Sequence, residues 1–137
     1  MGADIDIGCT VIASIDASDR DRGRDGAREI GGMYLANKFQ NIRGAADTLL
    51  QLAEIEMAEL QPVAEAMEGG GRLAAKERVT DSLLDRCKPI AGTPDDCIAA
   101  IEEYRDAGCT HVMLELWGEN RHEQIRLFGE RVLPHFR

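Results

Sequence analysis

The chain has 137 residues, 44% hydrophobic and 30% charged, a composition able to bury a core and suited to a single compact domain over residues 1–137. Sixteen Lys and Arg against 25 Asp and Glu leave a net charge of −9, so the surface repels phosphate backbones and anionic membranes, and no nucleic-acid partner is expected. The length also falls short of a complete eight-stranded α/β barrel, which takes about 250 residues.

No run approaches the roughly 18 apolar residues of a membrane span, and Met1 is followed by Gly-Ala-Asp-Ile-Asp rather than a basic region and an apolar core, so a cytoplasmic protein without a membrane partner is expected. Cys9, Cys87, Cys97 and Cys109 form no C-x-x-C pair and read as reduced small hydrophobes. Aromatic residues, at 4%, leave few rings for a cofactor or a base to stack on.

In chain order, the odd positions from Ile5 to Ile15 are all apolar and the even ones mostly polar or glycine, the period of two of a β-strand. Asp16 to Gly26 is a turn running into a helix that carries Ala27, Ile30, Met33 and Tyr34. Its Asp cluster does not fit a calcium loop, because Gly23 takes the fifth position and Arg24 the place of the required glycine. Residues 45 to 67 read as a long helix with Leu49, Leu50, Ala53, Met57, Leu60, Ala64 and Met67 as its apolar stripe, kinked or split at Pro62 and ended by Gly69-Gly-Gly71. That glycine triplet is the one candidate hinge, and Thr80 reads as the N-cap of a short helix after it.

The last third has βαβα order. Pro89-Ile-Ala91 is a short strand, Thr93 caps a helix with Pro94 in its first turn and Gly108 at its end, His111 to Leu116 is a second strand, and Asn120 to Arg131 a final helix. This order implies parallel strands joined by a right-handed crossover.

Candidate chemistry is sparse. The Gly92-Thr93-Pro94 turn could hold a phosphate on free amides, but Asp95 and Asp96 in the first turn favour a structural cap. His111, His122 and His135 lack metal-ligand spacing, so no metal site is assigned. Glu115, a carboxylate inside an apolar strand, must face solvent, a partner or a pocket. No phosphate-loop, dinucleotide-binding or nucleophile-elbow motif occurs.

The blocks Val79-Thr-Asp-Ser-Leu-Leu-Asp85, Ile90-Ala-Gly-Thr-Pro-Asp-Asp-Cys97, Tyr104-Arg-Asp-Ala-Gly108, His111 to Leu116 and Leu127 to Arg137 occur in the order found at the C-terminus of the luciferase-like oxidoreductases. Asp4 to Asp16 also resembles the late barrel strand that precedes that terminus, in the flavour of the methylenetetrahydromethanopterin-reductase branch. The resemblance implies a helix-rich α/β fold, the C-terminal strands and helices of a partial (β/α)8 TIM barrel. It also implies hydride transfer with FMN or a deazaflavin on a small-molecule substrate, by a monooxygenase or a reductase. The matching blocks are caps and packing strands, so no catalytic or cofactor-binding residue carries over.

Three strands cannot close a barrel, so a homo-oligomer or a complementing N-terminal barrel segment is expected to complete it, and the isolated chain is expected to be inactive. The rival expectation is a non-catalytic interaction or scaffold domain derived from the same fold. A response-regulator-type domain ranks below both, because it needs about five parallel strands.

Overall fold

The structure, a computed structural model, describes residues 5–41 and 45–137. Asp4, where the N-terminal matching block begins, lies outside the described residues. The chain divides into two compact units, Met1–Gly26 with Pro89–Arg137 and Ala27–Lys88.

The first unit holds a sheet of three strands, β1 (Gly8–Ile15), β2 (Ile90–Gly92) and β3 (His111–Leu116), in the order β2-β1-β3. All pairing is parallel, as the βαβα order implies. β1 is central: its first six residues pair with β3, Gly8 opposite His111 through Ala13 opposite Leu116, and its last three with β2. The connection from β2 to β3 through α5 (Pro94–Asp106) therefore passes β1. Alternation decides the faces. Val11, Ala13 and Ile15 of β1 pack with Ile90, Cys97, Leu127, Phe128 and Val132, and Val112, Leu114 and Leu116 of β3 join the same cluster. The opposite face presents Thr10 and Met113, the latter 57% exposed. Helices thus cover one side of the sheet, the arrangement of a barrel wall.

Local signals set the ends of α5. Thr93 accepts from the Asp96 amide while the Asp96 carboxylate accepts from the Thr93 amide, a reciprocal cap, and Gly108 follows the last turn with φ +94. After β3, α6 (Arg121–Leu127) continues into a π-turn at Phe128–Val132 and a 3-10 turn at Leu133–Phe136.

The second unit contains most of α1 (Arg20–Asn41), α2 (Ala45–Leu52), α3 (Met57–Lys76) and α4 (Asp81–Arg86). Here one sequence expectation is corrected. The helical stretch from 45 divides at 53–56, not at Pro62, which lies inside α3. Glu54 is left-handed, the Ile55 amide closes α2 on Leu50 O at 2.8 Å, and Glu56 starts α3 in a capping box with Glu59. The glycine triplet does break the helix, as expected: the backbone leaves helical geometry at Gly71, at φ 72 and ψ −162, and a further helical stretch runs on to Lys76. Thr80 caps α4 as expected, accepting from the Leu83 amide at 3.1 Å. Ile30, Leu60, Val63, Leu83 and Leu84 are the large, nearly inaccessible side chains of this unit.

Candidate functional site

In parallel α/β sheets, ligands bind outside the carboxyl ends of the strands, where diverging loops leave a crevice and helix N-termini point inward. In the first unit that end is crossed by the start of α1. A Cβ on Gly23 would stand 2.2 Å from Gly92 O, and one on Gly26 would stand 2.4 Å from Ser14 Oγ and 2.7 Å from Trp117 O. Only glycine lets a helix backbone approach the strand ends this closely. Gln124, 3% exposed, ties the same ends together. Its Oε1 accepts from the Ile15 amide at 3.1 Å, and its Nε2 donates to Trp117 O at 2.8 Å and Glu119 O at 2.9 Å.

The polar groups here mostly serve the helix starts. Asp16 Oδ1 accepts from the amides of Ser18 and Asp19, and Oδ2 from Arg22 Nε at 2.6 Å. The Arg22 bond above all, with the two amides, holds the Asp16 carboxyl far below the usual carboxylate range. Asp19 in turn accepts from the Arg22 amide. Burial acts to raise the Asp96 pKa, but bonds from Thr93 and Arg20 outweigh it and hold it low. Asp16 and Asp96 thus occupy the donors at the starts of α1 and α5. The Gly92-Thr93-Pro94 turn is a filled cap rather than an open anion seat.

The remaining feature of this end is an array on β3. Glu115 lies opposite Ile12 in the register and shares the face of Met113, away from the helix-packed side. Its Oε1 accepts from Trp117 Nε1 at 3.0 Å, and the Arg121 guanidinium stands 5.3 Å from the Trp117 ring centroid. The sequence reading singled out Glu115 but missed Trp117, although the single tryptophan directly after an apolar strand is itself a signal. It also missed Gln124. Trp117 offers a ring surface against which a planar cofactor could pack. The starts of α1 and α5 at these strand ends are capped by side chains, whereas α6 begins at Asn120 without a side-chain cap.

The histidines lie elsewhere. His111 and His135 line a cleft of about 490 Å³ formed by the amino end of β3, the last turns of α5 and the C-terminal 3-10 turn. His111 Nδ1 is 3.5 Å from Asp6 Oδ2, and His135 Nε2 is 3.1 Å from Glu102 Oε1. His122 sits in the first turn of α6. No helix among the described residues is long and apolar enough to cross a membrane.

No protein-family model matches the chain. It is, however, similar to 5,10-methylenetetrahydromethanopterin reductases of three archaea. The match to the Methanopyrus kandleri protein is 31% identical over 97 residues, covering 70% of this chain and 28% of the relative. For Archaeoglobus fulgidus it is 30% over 121 residues, covering 85% and 34%, and for Methanolobus tindarius 34% over 95 residues, covering 67% and 28%. Among solved structures, the coenzyme F420-dependent tetrahydromethanopterin reductase of Methanopyrus kandleri superposes with a TM-score of 0.79 at 27% identity, over 96% of this chain and 36% of that one. The chain therefore spans about a third of the length of the relatives it matches. The parallel sheet with helices on one face is a partial TIM-barrel fold, and the chain belongs, as a partial-length member, to the luciferase-like oxidoreductases.

Proposed function

We propose that this chain forms the carboxyl-terminal wall of a deazaflavin-dependent reductase in the cytoplasm. In the completed protein, hydride passes between the deazaflavin and a small-molecule substrate at the carboxyl ends of the strands. The carrying observation is that nearly the whole chain superposes on about a third of an F420-dependent reductase. The names of the relatives favour a deazaflavin over FMN and a reductase over a monooxygenase.

The chain's own residues supply positioning. Gln124 fixes the ends of β1 and β3, Gly23 and Gly26 admit α1 across them, and the Glu115–Trp117 pair lines the mouth. The missing strands come from a complementing N-terminal barrel segment that pairs with the open edges of the sheet and covers the face of Thr10 and Met113. Asp16 and Asp96 serve the starts of α1 and α5 rather than an anion. The same filled starts would suit a non-catalytic scaffold domain. The test is to titrate oxidised deazaflavin into the chain alone and into the chain mixed with a complementing segment, following cofactor fluorescence. Saturable quenching in the mixture and none with the chain alone is expected; none in either would favour the scaffold reading.

A further inference from the structure

The cleft at the amino end of β3 lies at the opposite end of that strand from the mouth and wholly within the first unit. Its volume of about 490 Å³ falls in the range of about 300–1,000 Å³ that small-molecule sites occupy. Arg105, His111, His135 and Arg137 stand among its walls and no described Asp or Glu does, in a chain where acids outnumber Lys and Arg by 25 to 16. Arg105 is loosely held: Glu102 and Asp106 are each 3.8 Å from its guanidinium, beyond hydrogen-bond length. Exposed pairs of this kind contribute little, so the planar fork can turn to a better acceptor. His135 is already oriented, its Nε2 3.1 Å from Glu102 Oε1 and its ring edge-on to Phe136 at 5.1 Å between centroids. His111 is engaged elsewhere. By alternation it shares the face of Met113, a Cβ on Gly8 would stand 2.8 Å from its Cε1, and its Nδ1 is 3.5 Å from Asp6 Oδ2.

We propose that this cleft binds a small organic carboxylate with a compact apolar body. Arg105 takes the carboxylate, whose two oxygens match the paired N–H donors of a guanidinium. Leu133, 42% exposed, receives the body together with Leu114 and Phe136, which pack on the core beneath. The two features together select the ligand. Inorganic phosphate would use Arg105 and leave the apolar wall in water, and a neutral hydrocarbon would cover the wall and leave the guanidinium unused. The seat is ordered before anything binds: the Cys109 amide bonds Tyr104 O at 3.0 Å, and the Thr110 and His111 amides share Ile7 O at 2.9 and 3.3 Å, which ties the start of β3 to the end of α5. Little chain ordering therefore opposes binding.

The experiment titrates benzoate into the full chain, follows the backbone amides by NMR, and repeats the titration with benzamide and with acetate. Saturable shifts centred on Arg105, His135 and Phe136 are expected. Benzamide, which lacks the charge, and acetate, which lacks the ring, should each bind about tenfold more weakly or worse. Arg105→Ala gives up exposed pairs alone, so it should keep the parent's melting temperature while weakening benzoate by about tenfold. Leu133→Ala should weaken benzoate several-fold, whereas Arg126→Ala, whose arginine pairs with Glu123 and Glu130 on α6 and its extension, should leave it unchanged. Shifts that do not saturate with benzoate, equal binding of benzamide, shifts centred on Trp117, or an unchanged benzoate affinity in Arg105→Ala would each overturn the proposal. Neither a deazaflavin nor a complementing segment takes part, so the outcome stands apart from the reductase reading.

Discussion

The side-chain amide of Gln124 bonds three backbone groups at the ends of β1 and β3 while almost wholly buried. Gln124→Leu would leave those groups unpartnered, at about 1–3 kcal/mol for a buried orphan, so the variant should lose roughly 2–4 kcal/mol and show a lower urea midpoint. The glycines allow a paired comparison. Gly23→Ala drives a methyl into Gly92 O and should destabilise by more than about 1 kcal/mol, whereas a Cβ on Gly69, inside α3, meets nothing within 4 Å. Gly69→Ala should therefore raise the midpoint, by up to about 1 kcal/mol of stability from helix propensity. Thr80, Thr93 and Gly108 are legible in the sequence because a cap is a local event, settled within four residues. Gln124 is not, because the amide it serves on Ile15 lies 109 positions away.

Among the elements, β1, β3 and α5 follow from periodicity and capping residues, since each buries one face against neighbours that favour the same pattern. The division of α2 from α3 is not legible in the same way. It depends on Arg86, whose Nη1 donates to Glu54 O at 2.6 Å and Glu59 Oε2 at 2.9 Å, and whose Nη2 pairs with Glu59 Oε1. A partner from α4 thus helps fix a turn that the local sequence leaves open, while Pro62, the obvious breaker, is accommodated within α3. The Arg86 bond, with the Glu56 amide, holds the Glu59 pKa at about 2, below its ordinary 4.5. The stability it contributes is therefore full above about pH 4.5 and is lost as pH falls toward 2. Glu59→Gln should remove that part of the dependence, so melting curves of variant and parent should differ most at neutral pH and converge in acid. An equal gap at both ends of the range would refute this account of the pair.

At the scale of the molecule, a charge-rich sequence of ordinary domain length matches about a third of a larger reductase, with Thr10 and Met113 exposed on one face of the sheet in its first unit. The late-barrel character was legible because caps and strand patterns survive in a piece. The chemistry was not, because a mouth is assembled from many strand ends and the described residues hold three. Met113, 57% exposed on the open face, tests the role of that surface. Met113→Asp should leave the chain's own melting temperature within a degree or two of the parent while weakening association with a complementing segment at least tenfold in Kd. The most direct measurement mixes this chain with the part of the Methanopyrus kandleri reductase that it does not match and titrates in coenzyme F420. Formation of a one-to-one complex that binds the cofactor saturably, when neither piece does so alone, is the predicted result. A chain that stays monomeric in the mixture and leaves cofactor fluorescence unchanged would contradict the proposal that it is the wall of a shared barrel.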